Sequence, residues 1–455
     1  MAQDLLTTLL ASLEVFRCPL SRPGFANMLV LFVGWVRTTG LHAVTETLVT
    51  TGVAGQRHHE AFHRFFSRGT WSPDSLGMWL WRRIDTLLAP GAIQVVIDDT
   101  VASKKGQHVF GLGNHIDPVR STAKRKIFTF GHCWVVLAVI LPVPWCKNTF
   151  ALPILFRLYT NPKACAKTGQ TYRKKTELAR DMIDVFVSWV GPRRVDLAVD
   201  SAYGNDTITR GLPASVVLFG SMRPDAVLTE LPPPAQKHRN GRPRVRGATL
   251  PKPQDLAQDK TTPWLTCQAT LYGKTKTVEY KTLCAQWYRA CGIGLLRIVI
   301  VRVETGKIGI RVFFCTDATI AVRTLLEGYA GRWTIEVLFR NLKQFFGFAD
   351  SSARKRAAVE RTAPFVGYVY ALLIVWFSQH AQGDSLAQPP VRPWYTHKRS
   401  VSFADILRTA QRALAPLSSA EVLDLASCSK DLHKTRGPVA TPSAQPAGAP
   451  FQLTG

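Results

Sequence analysis

The chain has 455 residues, with 57 Lys+Arg against 31 Asp+Glu and a formal net charge of +26. Its 46% hydrophobic and 10% aromatic content argues against a largely disordered basic protein and supplies core for two or three domains. So basic a chain implies a polyanionic partner, most often nucleic acid, but the charge alone names no reaction. The nine cysteines form no CxxC and no Cys/His cluster at zinc spacing, which argues against a zinc finger and for reduced thiols. Asp4 stands where a signal peptide needs positive charge, and the most apolar runs, 133–145 and 365–377, are shorter than the roughly 20 residues that span a bilayer. The expectation is a soluble, cytoplasmic protein with no membrane partner.

Residues 1–88 read as helical, because Leu5, Leu9, Leu13 and Phe16 recur at helical spacing and 74–88 is another amphipathic run. Between them, 57–69 is basic and aromatic and carries His58, His59, His63, Arg64 and Arg68, with Ser72-Pro73-Asp74 starting the next helix. It is either part of a helix–turn–helix or the basic face of a small helical bundle. The arginines favour a basic face over a metal site at the histidines.

From Gly91 the pattern changes to strands. Apolar runs predict strands at 93–97, 127–140, 150–159, 195–199 and 215–219, with a helix over 173–190. Gly111-Leu112-Gly113 reads as a loop, since no helix with a third glycine follows. Three strands, helix, strand, short helix, strand is an order that fits an α/β fold with a ribonuclease-H-like core. The first three strands would be antiparallel.

After Arg223 this pattern breaks. Residues 231–253 are rich in Pro, Gly and Arg, and hold Lys237, Arg239, Arg242, Arg244, Arg246 and Lys252 without one acid. Strand-like stretches follow at 264–272, 276–287, 295–304 and 307–314, with Gly306 as a turn, and predict a separate antiparallel β insertion. Residues 318–348, 364–379 and 403–414 return to helix. The division is a helical N-terminal domain at 1–88, a first core segment at 89–222, the insertion at 223–316 and a second, helical core segment at 317–382. A linker with a last helix covers 383–434, and the Pro/Ala/Ser/Thr-rich 435–455 reads as disordered.

Three acids sit where such a core presents its chemistry. Asp99 ends the first strand, Asp200 ends the fourth, and Glu336 lies on the helix after the insertion. Any one of them is more simply a turn or helix cap, so the three count together. Carboxylates at adjacent strand ends, joined by one from a covering helix, can hold two Mg²⁺ ions for phosphodiester chemistry. At about 100° per residue, Tyr329, Arg332, Glu336 and Lys343 share one helix face. An acid between two cations suits a metal ligand beside bound phosphates, although an ordinary solvated face has the same composition.

Tyr329-x2-Arg332-x3-Glu336-x6-Lys343 resembles the YREK signature of bacterial insertion-sequence transposases of the DDE class. Asp99-Thr100 resembles that family's first-Asp motif, and Val199-Asp200-Ser201-Ala202-Tyr203-Gly204 its second. The Asp98-Asp99 pair, followed by Lys104-Lys105-Gly106, is similar to the subgroup with an IDDT first motif. Successive side chains on a strand face opposite ways, so only one of Asp98 and Asp99 enters the site; the family's ligand immediately before Thr favours Asp99.

The resemblance implies a Mg²⁺-dependent enzyme, two ions per site with Mn²⁺ able to substitute, that cleaves the ends of a mobile DNA element and joins the freed 3′-hydroxyls to target DNA. Asp99, Asp200 and Glu336 would be the metal ligands. Arg332 and Lys343 would contact DNA phosphates, with Tyr329 beside them. Relatives that form hairpins hold a flipped base with an aromatic of the insertion, for which Trp264 and Trp287 are candidates. It also implies a homodimer on double-stranded DNA, nucleoid-associated when bound. Residues 101–180 carry 14 Lys+Arg against two acids, with Lys124-Arg125-Lys126 among the densest parts, and with Arg242 and Arg244 they suit phosphate neutralisation. A non-catalytic DNA-binding regulator derived from a transposase and a structure-selective nuclease on the same core are the alternatives.

Overall fold

The structure is a computed structural model that describes residues 2–106, 108–117, 120–122, 124–143, 149–233, 244–292, 294–303, 309–380, 391–398 and 400–428. The N-terminal segment forms helices α1 (Ala2–Ser12), α2 (Arg22–Arg37), α3 (Val44–Thr51), α4 (Glu60–Ser67) and α5 (Pro73–Asp85), with a 3₁₀ turn at Leu13–Phe16. Ser21 caps α2 by accepting from the Gly24 amide at 3.2 Å, and proline occupies the first turn, where no amide is needed.

The core follows as β1 (Ile93–Ser103), β2 (Gly113–Ile116), β3 (Phe128–Pro142), β4 (Thr149–Tyr159), α6 (Pro162–Thr168), α7 (Lys175–Val190), β5 (Val195–Val199), α8 (Asp206–Thr209) and β6 (Val216–Met222). Next come α9 (Pro253–Gln258), β7 (Leu265–Leu271), β8 (Lys274–Gln286), α10 (Tyr288–Cys291), β9 (Leu295–Arg302) and β10 (Ile310–Cys315). The chain closes with α11 (Val322–Gly331), α12 (Trp333–Phe345), α13 (Arg356–His380), α14 (Phe403–Leu414) and α15 (Ser419–Cys428).

One sheet organises the molecule, in the order β2-β3-β1-β5-β6-β10-β9-β8-β7, with β4 also paired to β3. β1 runs antiparallel to β3 and parallel to β5, and β5 runs parallel to β6. This is the ribonuclease-H-like arrangement, in which the parallel strands open a crevice at their carboxyl ends. α5 lies directly on β4: a Cβ on Gly77 would stand 2.0 Å from the Ile154 carbonyl oxygen, so only glycine permits the approach. Trp35 of α2 donates to the Phe346 carbonyl at 3.1 Å, and the N-terminal helices share one hydrophobic core with α12, α13 and α14.

Four features differ from the sequence expectations. β1 does not stop at Ile97, because its pairing with β3 continues to Ser103↔Gly131 while its pairing with β5 ends at Ile97↔Val199. Asp98 and Asp99 therefore lie inside a strand, just past the end of its parallel neighbour. The strands of the insertion continue the central sheet through β6–β10 pairing instead of forming a sheet apart. Residues 113–116 form β2, a strand the sequence does not predict, with Gly111 and Leu112 outside it. Residues 318–348 are two helices meeting at Arg332, where i+3 bonds from Arg332 N to Tyr329 O and from Ile335 N to Arg332 O tighten the chain.

The 365–377 run lies within the 25-residue α13, which is long and apolar enough to cross a membrane; 89% of its most apolar window is buried inside the protein. It packs on β4, α4 and α5, as a core helix does. Gly306, much of the expected linker and the 435–455 tail lie outside the described residues.

Candidate active site

Three elements bring the acids together at the open end of the β1–β5 pair. Directly opposed residues of an antiparallel pair share a face, so Asp98, opposite Val136, and Asp99, opposite Val135, point to opposite faces of the sheet. Asp200 follows β5 directly, and its Oδ1 accepts from the Ala202 and Tyr203 amides at 2.9 and 3.2 Å, a turn that fixes the carboxylate. Glu336 stands in the first turn of α12, where the positive end of the helix dipole favours an acid.

Arg332 is the clamp between them. One guanidinium nitrogen donates to Asp98 Oδ2 and another to Glu336 Oε1, each at 2.9 Å. Asp98 also accepts from the Asp99 amide at 2.8 Å. Burial, then the neighbouring Asp200 charge, push the Asp98 carboxyl up to about 7 despite the arginine. Burial likewise raises Asp200. A crevice that holds carboxylates so unfavourably attracts positive charge.

Asp99 belongs to a different set. Its Oδ2 accepts from the Lys175 ammonium at 2.6 Å and from the Cys133 thiol at 3.4 Å, and its Oδ1 from the Tyr203 hydroxyl at 2.8 Å. Tyr203 is buried, and burial followed by the Asp99 charge keeps its phenol protonated far above the ordinary range. The sequence favours Asp99 as the first ligand; in the structure Asp98 is the one of the pair that shares Arg332 with Glu336, and Asp99 is tied to the start of α7 and to the second-Asp segment. The sequence assigns no role to Lys175, which lies in a basic run, or to Tyr203, which stands in the second-Asp motif.

The other expected residues divide by location. Tyr329 packs its ring on Phe313 at 4.7 Å and sits 6.0 Å from the Arg332 guanidinium. Lys343 is exposed in the last turn of α12. Lys124, Arg125 and Lys126 are exposed between β2 and β3, and Arg244 is exposed as well. Arg242 lies outside the described residues. Trp264 is covered by Arg302 at 4.3 Å and Lys281 at 5.1 Å, and Trp287 stacks edge-on to Phe314, so both are engaged in packing. Trp333, next to Arg332 in the chain, and Tyr272 are exposed aromatics whose rings stand 6.3 Å apart. His58 and His59 stack at 4.6 Å, with His63 edge-on to His59.

Among the described residues, no three His, Cys, Asp or Glu side chains stand close enough together to hold a metal ion. Between Asp98 and Glu336, the Arg332 guanidinium takes the place a cation would have. The donors themselves are carboxylate oxygens, the ligands a hard divalent cation prefers, and Asp98 is raised by burial first and then by the Asp200 charge. In chemistry and charge the residues fit such an ion.

The sheet order, with Asp200 at the end of β5 and Asp98 beside it in β1, defines the class as a ribonuclease-H-like core. The chain matches the DDE superfamily endonuclease family over residues 20–286, more than half its length, and belongs to that superfamily. The match covers Asp98, Asp99 and Asp200 and stops before the helix of Glu336. Compared with curated proteins, the chain has no match. Membership brings a nuclease or transposase type of function, DNA as the substrate class and a general use of divalent metal.

Proposed function

We propose that the protein is an insertion-sequence transposase of the IDDT subgroup, with Tyr329, Arg332, Glu336 and Lys343 as its YREK set. The observation that carries the reading is the Arg332 clamp, which reaches Asp98 across 234 residues of chain and joins it to Glu336. Asp98, Asp200 and Glu336 are the acids that would hold Mg²⁺, two ions per site, with Mn²⁺ as a substitute. Bound there, the ions supply an activated water and stabilise charge on the phosphodiester oxygens.

The protein's own groups do the rest. Tyr203 and Lys175 hold Asp99 and thereby fix the part of β1 that presents Asp98. Arg332 turns to a DNA phosphate once its carboxylates are otherwise neutralised, matching a planar fork to phosphate oxygens. Lys343, Lys124, Arg125 and Lys126 hold the backbone without reading sequence. The exposed basic side of α4, with Arg64 and Arg68, is the place for contacts to element ends. Cleavage leaves 3′-hydroxyls, which attack target DNA in line. Two ends require two active sites, so the working form is a dimer, in the cytoplasm on the nucleoid.

Incubating the protein with Mg²⁺ and a plasmid carrying the DNA that flanks its gene tests this. Wild type should produce both cut ends and strand-transfer joints, and Glu336→Gln neither, while binding the same DNA. Undiminished cleavage by Glu336→Gln refutes the site.

A further inference from the structure

β2 and β3 form a ribbon that projects past the end of β4, since β3 pairs with β4 only from Cys133 onward and with β2 over Phe128 to Gly131. Ile116 lies directly opposite Phe128, and Phe130 opposite Asn114, so the three apolar side chains share one face. They are 45%, 60% and 42% exposed, which nothing in a folded core accounts for. Along β3 the even-numbered residues alternate to the face of Val136, the partner of Asp98. The apolar strip therefore lies on the Asp98 side of the sheet, where Arg332 and Glu336 stand, and not on the Asp99 side.

Charge identifies the occupant. Exposed Arg120, Lys124, Arg125 and Lys126 surround the turn, and exposed Lys105 follows Lys104, whose amide donates to Phe130 O at 3.1 Å. The ribbon's acid, Asp117, already accepts from Thr129 Oγ1 and the Arg120 amide. Six residues of β3 separate Phe130 from Val136, about 20 Å at ~3.4 Å per residue. That is roughly six base pairs along a duplex whose cut phosphate sits at the clamp. An aromatic strip framed by cations, on an extended ribbon, matches the way apolar side chains enter and unstack a base step while lysines and arginines hold the flanking phosphates.

We infer that the β2–β3 ribbon is a DNA wedge: Phe128, Phe130 and Ile116 insert against a base step of duplex DNA about half a helical turn from the cleavage site and bend it toward the Asp98 face. The inference rests on DNA being the substrate and adds a second contact surface with a mechanical role.

The test compares full-length wild type, the double variant Phe128→Ala/Phe130→Ala, and Lys124→Ala/Arg125→Ala/Lys126→Ala. Each is titrated with an end-labelled duplex, intact or interrupted by a short gap, reading anisotropy for affinity and energy transfer for bending. Both aromatics are exposed, so their removal leaves the fold intact. The aromatic variant should bind the intact duplex about tenfold more weakly and bend it less, with an unchanged salt slope. The gapped duplex, already flexible, should restore its affinity. The triple variant should weaken on both DNAs and lower the salt slope by about three. Equal binding and bending of the intact duplex by wild type and the aromatic variant overturns the wedge. So does a loss of self-association in sedimentation with DNA binding unchanged, which makes the strip an interface between copies. Failure of wild type to bind either duplex at low salt overturns the DNA reading and the wedge together.

Discussion

Arg332 reaches Asp98, 234 residues earlier in the chain, with a 2.9 Å hydrogen bond. Its other arm holds Glu336 at the same distance, so one guanidinium is shared by two carboxylates carried by different layers of the fold. Without it, Asp98 faces Asp200 in a crevice whose burial already disfavours charge. The residue that joins the acids in this state is therefore the one that must yield for a divalent ion to join them.

That relation predicts opposite effects for the two adjacent aspartates. Asp98→Asn should lower DNA cleavage at least about a thousandfold, the several kcal/mol that metal-held charge stabilisation contributes. Asp99→Asn should retain measurable cleavage and lower thermal stability, because it loses the Lys175 and Tyr203 bonds and no acid of the clamp. Single-turnover cleavage with melting curves checks both, and the reverse pattern would return Asp99 to the role the sequence preferred.

Arg332→Ala should separate metal binding from catalysis. With the guanidinium gone, calorimetric titration of the DNA-free protein with Mn²⁺ should show about tenfold tighter binding, roughly 1.4 kcal/mol of repulsion between like charges removed. Cleavage should fall all the same, since the phosphate contact is lost. Unchanged Mn²⁺ affinity would mean the arginine does not compete for these carboxylates.

Tyr203→Phe removes a hydroxyl whose hydrogen bond ties the Asp200 turn to β1. The half-buried Asp99 oxygen left behind loses its partner, a cost of about 1 kcal/mol. The urea midpoint should fall accordingly with an unchanged slope, and cleavage should drop modestly through displacement of Asp200. A variant as stable as wild type would remove Tyr203 from the positioning set.

His132 gives stability a defined pH dependence. It is 3% exposed, one ring nitrogen lies 2.8 Å from the Phe110 carbonyl, and burial depresses its pKa to about 4. An unfolded histidine takes up its proton near pH ~6.5, so below that pH protonation favours the unfolded chain until the folded group also titrates. Stability should thus decline as pH falls from about 6.5 to 4, on the order of 3 kcal/mol at the limit. His132→Gln can keep the donor to Phe110, and its melting temperature should vary less over that window.

Much of this was legible before any coordinates. The strands at β3, β4, β5 and β9 and the helices α7 and α14 follow from periodicity, because long apolar patterns admit few other conformations. The order of Asp98-Asp99, Asp200 and Glu336, the basic loop at Lys124-Arg125-Lys126 and the acid–cation helix are written in the chain. β2 has no such signal, because four residues starting at a glycine carry no pattern of their own; pairing with β3 makes them a strand.

The choice between Asp98 and Asp99 could only come from the tertiary structure. A shift of one residue along a strand reverses the face a side chain enters, and that face means nothing until a helix distant in sequence packs on it. α12 and α7 cover opposite sides of β1, with Arg332 taking Asp98 and Lys175 taking Asp99. Likewise, local alternation marks Phe128 and Phe130 as strand residues, but only the register that carries β3 past β4 leaves them exposed on the side of the acids. The sequence by itself determined the acids of the candidate site and their order along the chain. Strand register and helix packing decided which of them face one another, because those depend on contacts between segments far apart in the chain.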